Sequence, residues 1–146
     1  MYRAIVIGHE GSIVHEANAS EAGILPGMLV EHVPSGGTAG EFRKNAAAKG
    51  PVLVAEENDM FGGGLNDAYP INAQVRARAL KPGAEFLALV AAGNPAIAYG
   101  ANLMQSSANP GCVIASSGDA LTAFEAMQGV DNSAGGAAVR IRVRVL

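Results

Sequence analysis

The C-terminal segment Val139–Leu146, VRIRVRVL, decides the fold class. Apolar and basic residues alternate in it, so four aliphatic side chains fall on one face of an extended chain and Arg140, Arg142 and Arg144 on the other. Most of the aliphatic residues are β-branched, which favours a strand over a helix. The segment is therefore predicted to be a β-strand with one buried face and one exposed face.

Weaker forms of this signal occur along the rest of the chain. Gln74–Leu80 alternates as well, with Arg76 and Arg78 opposite small apolar residues. Short apolar runs bounded by turn residues predict further strands at Met28–Val33, Val52–Glu56, Glu85–Ala91, Leu103–Gln105 and Val113–Ala115. The predicted fold is mainly β, either a compact small β-barrel or a tulip-like sandwich, with irregular Gly/Pro-rich loops.

Two segments admit two interpretations each. Ala120–Gln128 fits a helix capped by Ser117 or Asp119, or a strand that pairs with the C-terminal strand. Residues 1–23 begin with an apolar run that ends at Ile7 and continue without a clear period. They are predicted either as an extended N-terminal arm that adds a strand to a neighbour, or as a first strand plus loop. A single β domain is predicted over residues 24–146.

Composition narrows the class of protein. A chain of 146 residues with 49% hydrophobic and 16% charged residues fits one folded domain. Tryptophan is absent and aromatic residues make up 5%, so we expect a core built mainly from Val, Ile, Leu, Met and Ala. The net charge is −5 over residues 1–67 and +2 over residues 68–146, which fits solvated faces or contact between unlike surfaces of neighbouring subunits. No strongly basic stripe indicates a nucleic-acid partner.

The single cysteine and the short apolar runs indicate in which cellular compartment the protein is expected. Cys112 is the only cysteine, so no intrachain disulfide can form, and a reducing compartment such as the bacterial cytoplasm fits. We expect Cys112 to be a small buried residue and not a nucleophile. The apolar run Phe86–Ala92 has seven residues, far fewer than the ~20 that span a bilayer, so no membrane partner is expected.

No group of residues forms a recognised catalytic, cofactor-binding or metal-binding motif. The three histidines, His9, His15 and His32, lack metal-ligand spacing. A metal site built from residues distant in sequence is the less favoured alternative. The acidic residues Glu56, Glu57, Asp59 and Asp67 do not match a calcium loop, and a solvated acidic loop is preferred over a cation site. We therefore predict that the protein is not an enzyme and carries no cofactor or metal.

Several residues are predicted to bind a partner. Met60 and Phe61 are large apolar residues beside three glycines, so they either fold back onto the core or anchor a partner. The arginine rows need acidic partners, from Glu125, Asp131 or a neighbouring subunit, and some arginines are predicted to bridge to another chain. The full predicted set is Tyr2, Arg3, Ile5, Ile7, Met60, Phe61, Arg140, Arg142 and Arg144.

Three blocks of sequence carry a resemblance to a known family. They are ILPGMLVE at Ile24–Glu31, VLVAEENDMFGGGLNDAY at Val52–Tyr69 and the C-terminal VRIRVRVL. In this order the chain resembles the small head decoration (cement) proteins of tailed bacteriophages. That family has a PGMLVE-like start, an A-x-E-N-D … G … DDAY-like middle and an RIRVR-like end. The glycine run at 62–64 and the His-containing N-terminus depart from the family pattern.

The resemblance implies a structural virion protein that binds the outer surface of the expanded phage head and stabilises contacts between major capsid subunits. It implies two partners, the major capsid protein and further copies of the same chain, with a trimer favoured over a dimer. It also implies synthesis in the host cytoplasm and a strand at Ala120–Gln128. The alternatives are another minor head or tail-associated virion protein, and a small β-barrel ligand-binding protein or enzyme.

Overall fold

Eleven strands and one 3-10 turn form the regular structure of this computed structural model, which describes residues 5–7, 13–46, 52–116 and 123–146. The turn is Asp59–Phe61. The strands are β1 (Val6–Ile7), β2 (Ile13–Asn18), β3 (Leu29–His32), β4 (Phe42–Lys44), β5 (Leu53–Ala55), β6 (Gln74–Ala79), β7 (Glu85–Val90), β8 (Asn102–Gln105), β9 (Val113–Ala115), β10 (Phe124–Ala126) and β11 (Val139–Val145). They form two antiparallel sheets packed as a sandwich, so the prediction of a mainly β protein is confirmed.

The C-terminal strand β11 occupies an inner position of the six-stranded sheet, whose strand order is β1-β7-β11-β10-β8-β9. It pairs with β7 from Val139↔Val90 to Arg144↔Glu85, and with β10 on its other side. Its aliphatic residues lie on the core side, where Ile141 and Val143 are fully buried. The predicted alternation is confirmed.

Aromatic residues are prominent in the core despite their low number. Phe86 and Phe124 meet edge to face inside the six-stranded sheet, with ring centroids 5.7 Å apart. Phe42 and Tyr69 are also fully buried. The described methionines, Met28, Met104 and Met127, are only half-buried. The aliphatic part of the predicted core is confirmed, and of these methionines Met28 packs against the small cluster of Leu89, Ala91 and Cys112.

The five-stranded sheet, with strand order β2-β6-β5-β3-β4, is curled so that its two outer strands approach each other. They meet at one bridge, Ala19↔Phe42, beside which Ser20 N donates to Phe42 O at 2.8 Å. A single bridge in the described residues does not amount to a closed ladder. The sandwich alternative is therefore the correct one, and the barrel description applies only to this curl.

Strand β5 connects the two cores because it is buried on both faces. Leu53 and Ala55 pack inside the curl of the five-stranded sheet, whereas Val54 packs in the core of the six-stranded sheet. A strand covered on both sides has no reason to alternate. This explains why the segment reads as a continuous apolar run.

Most predicted strands are confirmed within one or two residues. Strand β10 confirms the strand interpretation of Ala120–Gln128 over 124–126, and it pairs with β11 as predicted. Residues 117–122 lie outside the described residues. Strands β2 and β4 were not predicted. In β2, His15 and Ala17 occupy positions where an apolar alternation would need large aliphatic residues.

The N-terminal strands belong to the two sheets of the same chain. Strand β1 pairs with β7 through Val6↔Phe86, and β2 pairs with β6 from Ile13↔Ala79 to Asn18↔Gln74. Tyr2 and Arg3 lie outside the described residues. The domain boundary after residue 23 stays a prediction.

The turn at Pro26-Gly27 allows the two sheets to approach closely. Gly27 has φ +90° and its N–H donates to Ala55 O at 2.8 Å. A Cβ atom at this position would collide with the backbone carbonyl oxygen of Leu87. Glycine is therefore required at position 27 both by the backbone conformation and by the contact with the neighbouring sheet.

Replacing Gly27 with Ala should lower the free energy of unfolding more than replacing Gly83 with Ala. Both glycines follow proline and have φ +90°, but the space around Gly83 is open. The Gly83 variant measures the left-handed strain alone, about 1–2 kcal/mol. The Gly27 variant should add about 1–3 kcal/mol for the collision. Equal losses in urea unfolding would show that the sheets do not meet at Gly27.

Candidate partner-binding surface

The side of the six-stranded sheet that faces away from its core gathers part of the predicted partner-binding set. Ile7, Glu85, Arg144 and Glu125 form one row across β1, β7, β11 and β10, and Arg142 lies in the next row on β11. We call these five residues the outer face. The structure therefore brings together three predicted residues, Ile7, Arg142 and Arg144.

The arginines of the outer face are paired within the chain. Arg142 Nε donates to Glu85 Oε2 at 2.6 Å, and Arg144 lies 3.7 Å from Glu85 Oε1 and 3.9 Å from Glu125 Oε2. The Arg142 and Arg144 side chains are 49% and 39% exposed, so each ion pair contributes little to stability. Glu125 is thus confirmed as an intrachain acidic partner.

Asp131 does not pair with the arginines as predicted. Its Oδ1 accepts from Ser133 N at 3.1 Å and Ser133 Oγ at 2.6 Å. These hydrogen bonds hold the pKa of Asp131 below its usual value. The two arginine rows lie in different sheets, on β6 and β11, so no like-charge contact between the rows arises.

Arg140 has a different role from its neighbours on β11. It donates to Pro26 O at 3.0 Å, to Asn66 Oδ1 at 2.8 Å and to Leu65 O. Burial lowers the pKa of its guanidinium. Its donors thus bind backbone and side-chain oxygens of its own chain, and the bridge from Arg140 to another chain stays a prediction.

The acidic loop, residues 56–67, is anchored to both sheets. Glu56 is fully buried and accepts from Arg78 Nε at 2.6 Å. Glu57 Oε1 accepts from Ile5 N on the six-stranded sheet at 2.9 Å. Asp59 lies 3.7 Å from Arg76 Nη1. The prediction of a solvated acidic loop is therefore wrong for Glu56, which burial and an arginine hold inside.

The tip of the acidic loop presents Phe61 to solvent. Phe61 is 77% exposed, so the prediction that it folds back onto the core is wrong. The following Gly62 adopts a left-handed conformation with φ +74°, which ends the 3-10 turn. Met60 lies in that turn, and its side chain lies outside the described part. Ile5 is fully buried in the single chain, and its place in the partner-binding set stays a prediction.

Tyr69 is a buried residue of this region that the sequence did not single out. Its hydroxyl donates to Glu56 O at 2.8 Å, and its backbone bridges to Ile24. Burial raises the pKa of its phenol, with a smaller lowering effect from a hydrogen bond to the Arg76 backbone. The only sequence signal was its position immediately after the acidic loop.

Cys112 lines a cleft of about 590 Å³ between the five-stranded sheet and loops of the six-stranded sheet. The lining is largely alanine and also includes Met28 and Lys44. The thiol is buried, as predicted, and burial raises its pKa. Cys112 packs in a small apolar cluster with Leu89 and Ala91.

The described residues contain neither a cluster of three or more metal-ligating side chains nor a membrane-spanning helix. Side chains of His, Cys, Asp and Glu do not gather there in groups of three or more that would suit a metal ion. No helix in this part of the chain is long and apolar enough to cross a bilayer.

The fold has a counterpart among solved structures. The chain is similar to the head fiber gp8.5 N base of bacteriophage phi29, with a TM-score of 0.58 and 12% sequence identity. The alignment covers 92% of this chain and 94% of that chain. At this identity the likeness is one of fold. No protein-family model and no curated protein matches the sequence.

Replacing Arg140 with Met should release the acidic loop. The change removes charge-assisted hydrogen bonds to Pro26, Leu65 and Asn66, worth about 1.5–3 kcal/mol, whereas Arg142→Met on the same strand removes only an exposed ion pair. Chymotrypsin cleavage after Phe61 should accelerate in the Arg140 variant alone. Equal cleavage rates in the two variants would contradict the anchoring role of Arg140.

Tyr69 should ionise late in an alkaline titration. Its folded pKa is raised above the unfolded value of about 10, so its neutral form stabilises the fold below pH 10. That contribution is lost as pH rises through the folded pKa. In a tyrosinate absorbance titration, Tyr69→Phe should remove the late component of the wild-type curve. A Tyr69→Phe curve that loses amplitude at about pH 10 and keeps the late component would show that Tyr69 is not buried.

Proposed function

We propose that the protein is a structural virion component that decorates the outer surface of an expanded phage head. The observation that carries this proposal is the fold shared with a phage head fiber base over nearly the full length of both chains. The three sequence blocks that resemble head decoration proteins support the finer assignment. The proposal includes no enzymatic activity, cofactor, nucleic acid or membrane.

The partner in this proposal is the major capsid protein, and the contact residue is Phe61. An exposed phenylalanine on an anchored loop loses little conformational entropy on binding, because Arg140, Glu56 and Glu57 already fix the loop. Burial of its side chain would contribute about 1.5–3 kcal/mol. Aromatic residues of this kind commonly dominate the energetics of interfaces.

The outer face supplies a second element of the proposed contact. Its carboxylates and guanidinium groups already offset one another, so a partner need not supply net charge. Arg142 is half exposed and can accept an additional carboxylate from the capsid. In this proposal several chains act together, as a trimer in preference to a dimer, and repeated weak contacts raise the effective affinity. Assembly onto the head would follow synthesis in the host cytoplasm.

A second candidate function is a fibre base that occupies few positions on the head. The name of the similar structure, a head fiber base, favours this candidate. The number of copies per purified particle separates the two. A decoration protein occupies positions all over the head, whereas a fibre base is restricted to the sites where fibres attach.

Purified protein mixed with expanded, undecorated heads should co-sediment at a fixed ratio to capsid subunits and increase the resistance of the heads to heat. Phe61→Ser should weaken this binding at least about tenfold, equivalent to about 1.4 kcal/mol. Ile71→Ser is the matched control, since Ile71 is a 57% exposed apolar residue in a turn outside the acidic loop.

Two results would contradict the proposal. Absence of co-sedimentation by the folded wild-type protein would remove the decoration function. Equal weakening by Phe61→Ser and Ile71→Ser would remove the assigned role of Phe61 while leaving the decoration function in place.

A further inference from the structure

Two histidines that are distant in sequence meet on the inner side of the curled five-stranded sheet. His15 on β2 and His32 on β3 have ring centroids 6.2 Å apart, with their planes inclined at 67°. The His32 ring also stacks on buried Phe42, with centroids 4.5 Å apart and planes 28° apart. The His32 ring thus contacts both Phe42 and His15.

A backbone contact determines which nitrogen of His32 is free. His32 Nδ1 lies 2.8 Å from Gly40 O. A carbonyl oxygen only accepts, so Nδ1 carries the hydrogen and Nε2 of the neutral ring keeps its lone pair. Histidines that bind metals usually donate their other ring N–H to a carbonyl or carboxylate in this way. His32 is therefore already held in the tautomer of a metal ligand.

The surroundings of the pair are mostly neutral. His15 shares its side of β2 with Ala17 and Ala19, and His32 shares its side of β3 with Val30. The acidic and basic residues of these strands and of β6 point to the other side of the sheet by strand alternation; they are Glu16, Glu31, Arg76 and Arg78. Lys44 shares the inner side of β4 and lies 3.8 Å from Glu21.

We propose that His15 and His32 together bind a divalent transition-metal ion such as Zn²⁺ through one ring nitrogen each. Two imidazoles that share a tetrahedral metal ion at about 2.1 Å place their ring centroids about 5 Å apart, so rings that now lie 6.2 Å apart would approach by about 1 Å on binding. No hydrogen bond in the described part of the chain engages the His15 ring, so it can turn toward the ion. Imidazole nitrogen suits Zn²⁺, Ni²⁺ and Cu²⁺.

Water completes the coordination in this proposal. His32 is exposed, and Ile13, on the same side of β2 as His15, is 62% exposed, so solvent reaches this end of the curl. The bound ion links outer strand β2 to β3 across the gap between the two outer strands, where the described residues contain the single bridge Ala19↔Phe42. Metal binding thus closes the curl.

The test is a titration of the full chain with zinc chloride alone at pH 7.5, followed by calorimetry and thermal unfolding. One ion should bind per chain and raise the unfolding temperature by roughly 5–10 °C at 100 times the dissociation constant. His15→Gln and His32→Phe should each weaken binding at least tenfold. The second change keeps an aromatic ring on Phe42 and removes only the nitrogen ligand.

Cys112→Ser is the control, because Cys112 supplies the only thiol in the chain and thiolates bind zinc strongly. It should bind zinc with wild-type affinity. Binding that survives His15→Gln in a variant with wild-type circular dichroism, or binding that is lost in Cys112→Ser, would overturn the proposal. Absence of any zinc binding by the wild-type chain would do the same. The result is independent of the proposed role on phage heads.

Discussion

The buried ion pair between Glu56 and Arg78 fixes the start of the acidic loop, the segment that contacts both sheets. Glu56 stands at the end of β5, where the chain leaves the five-stranded sheet, and its carbonyl oxygen also accepts from Tyr69. Loss of one member would leave an uncompensated charge in the interior, which typically destabilises a protein by about 3–5 kcal/mol. From this pair the loop reaches Ile5 and Arg140 on the other sheet.

Position along one strand determines what each arginine does. Arg140 lies where the Pro26 turn and the acidic loop cover β11, so its donors bind those segments. Arg142 and Arg144 lie farther along the strand, where their side chains are 49% and 39% exposed, and they pair with the partly buried carboxylates of Glu85 and Glu125. The same residue type in one alternating row therefore stabilises the fold at one end and forms surface at the other.

The sequence predicts the strands well because alternation and short apolar runs are local signals. It predicts the polar interior poorly because the partners are distant in the chain. Glu56 lies in an acidic segment whose composition predicts a solvated loop, and its partner Arg78 is 22 residues away. The oxygens bound by Arg140 lie 74 to 114 residues away. The His15–His32 contact likewise depends on the curl of the sheet, which cannot be predicted from the sequence of either strand.

The similarity to the head fiber base indicates where specificity would have to lie. At 12% identity over almost the whole of both chains, the two proteins share a path of the backbone and few side chains. In this protein the interiors of both sheets and β5 are fully committed to packing. The side chains not committed to packing lie on the anchored loop and the open sheet face, and they include Phe61 and Arg142. Such positions can change while the cores stay the same, because exposed positions contribute little to folding.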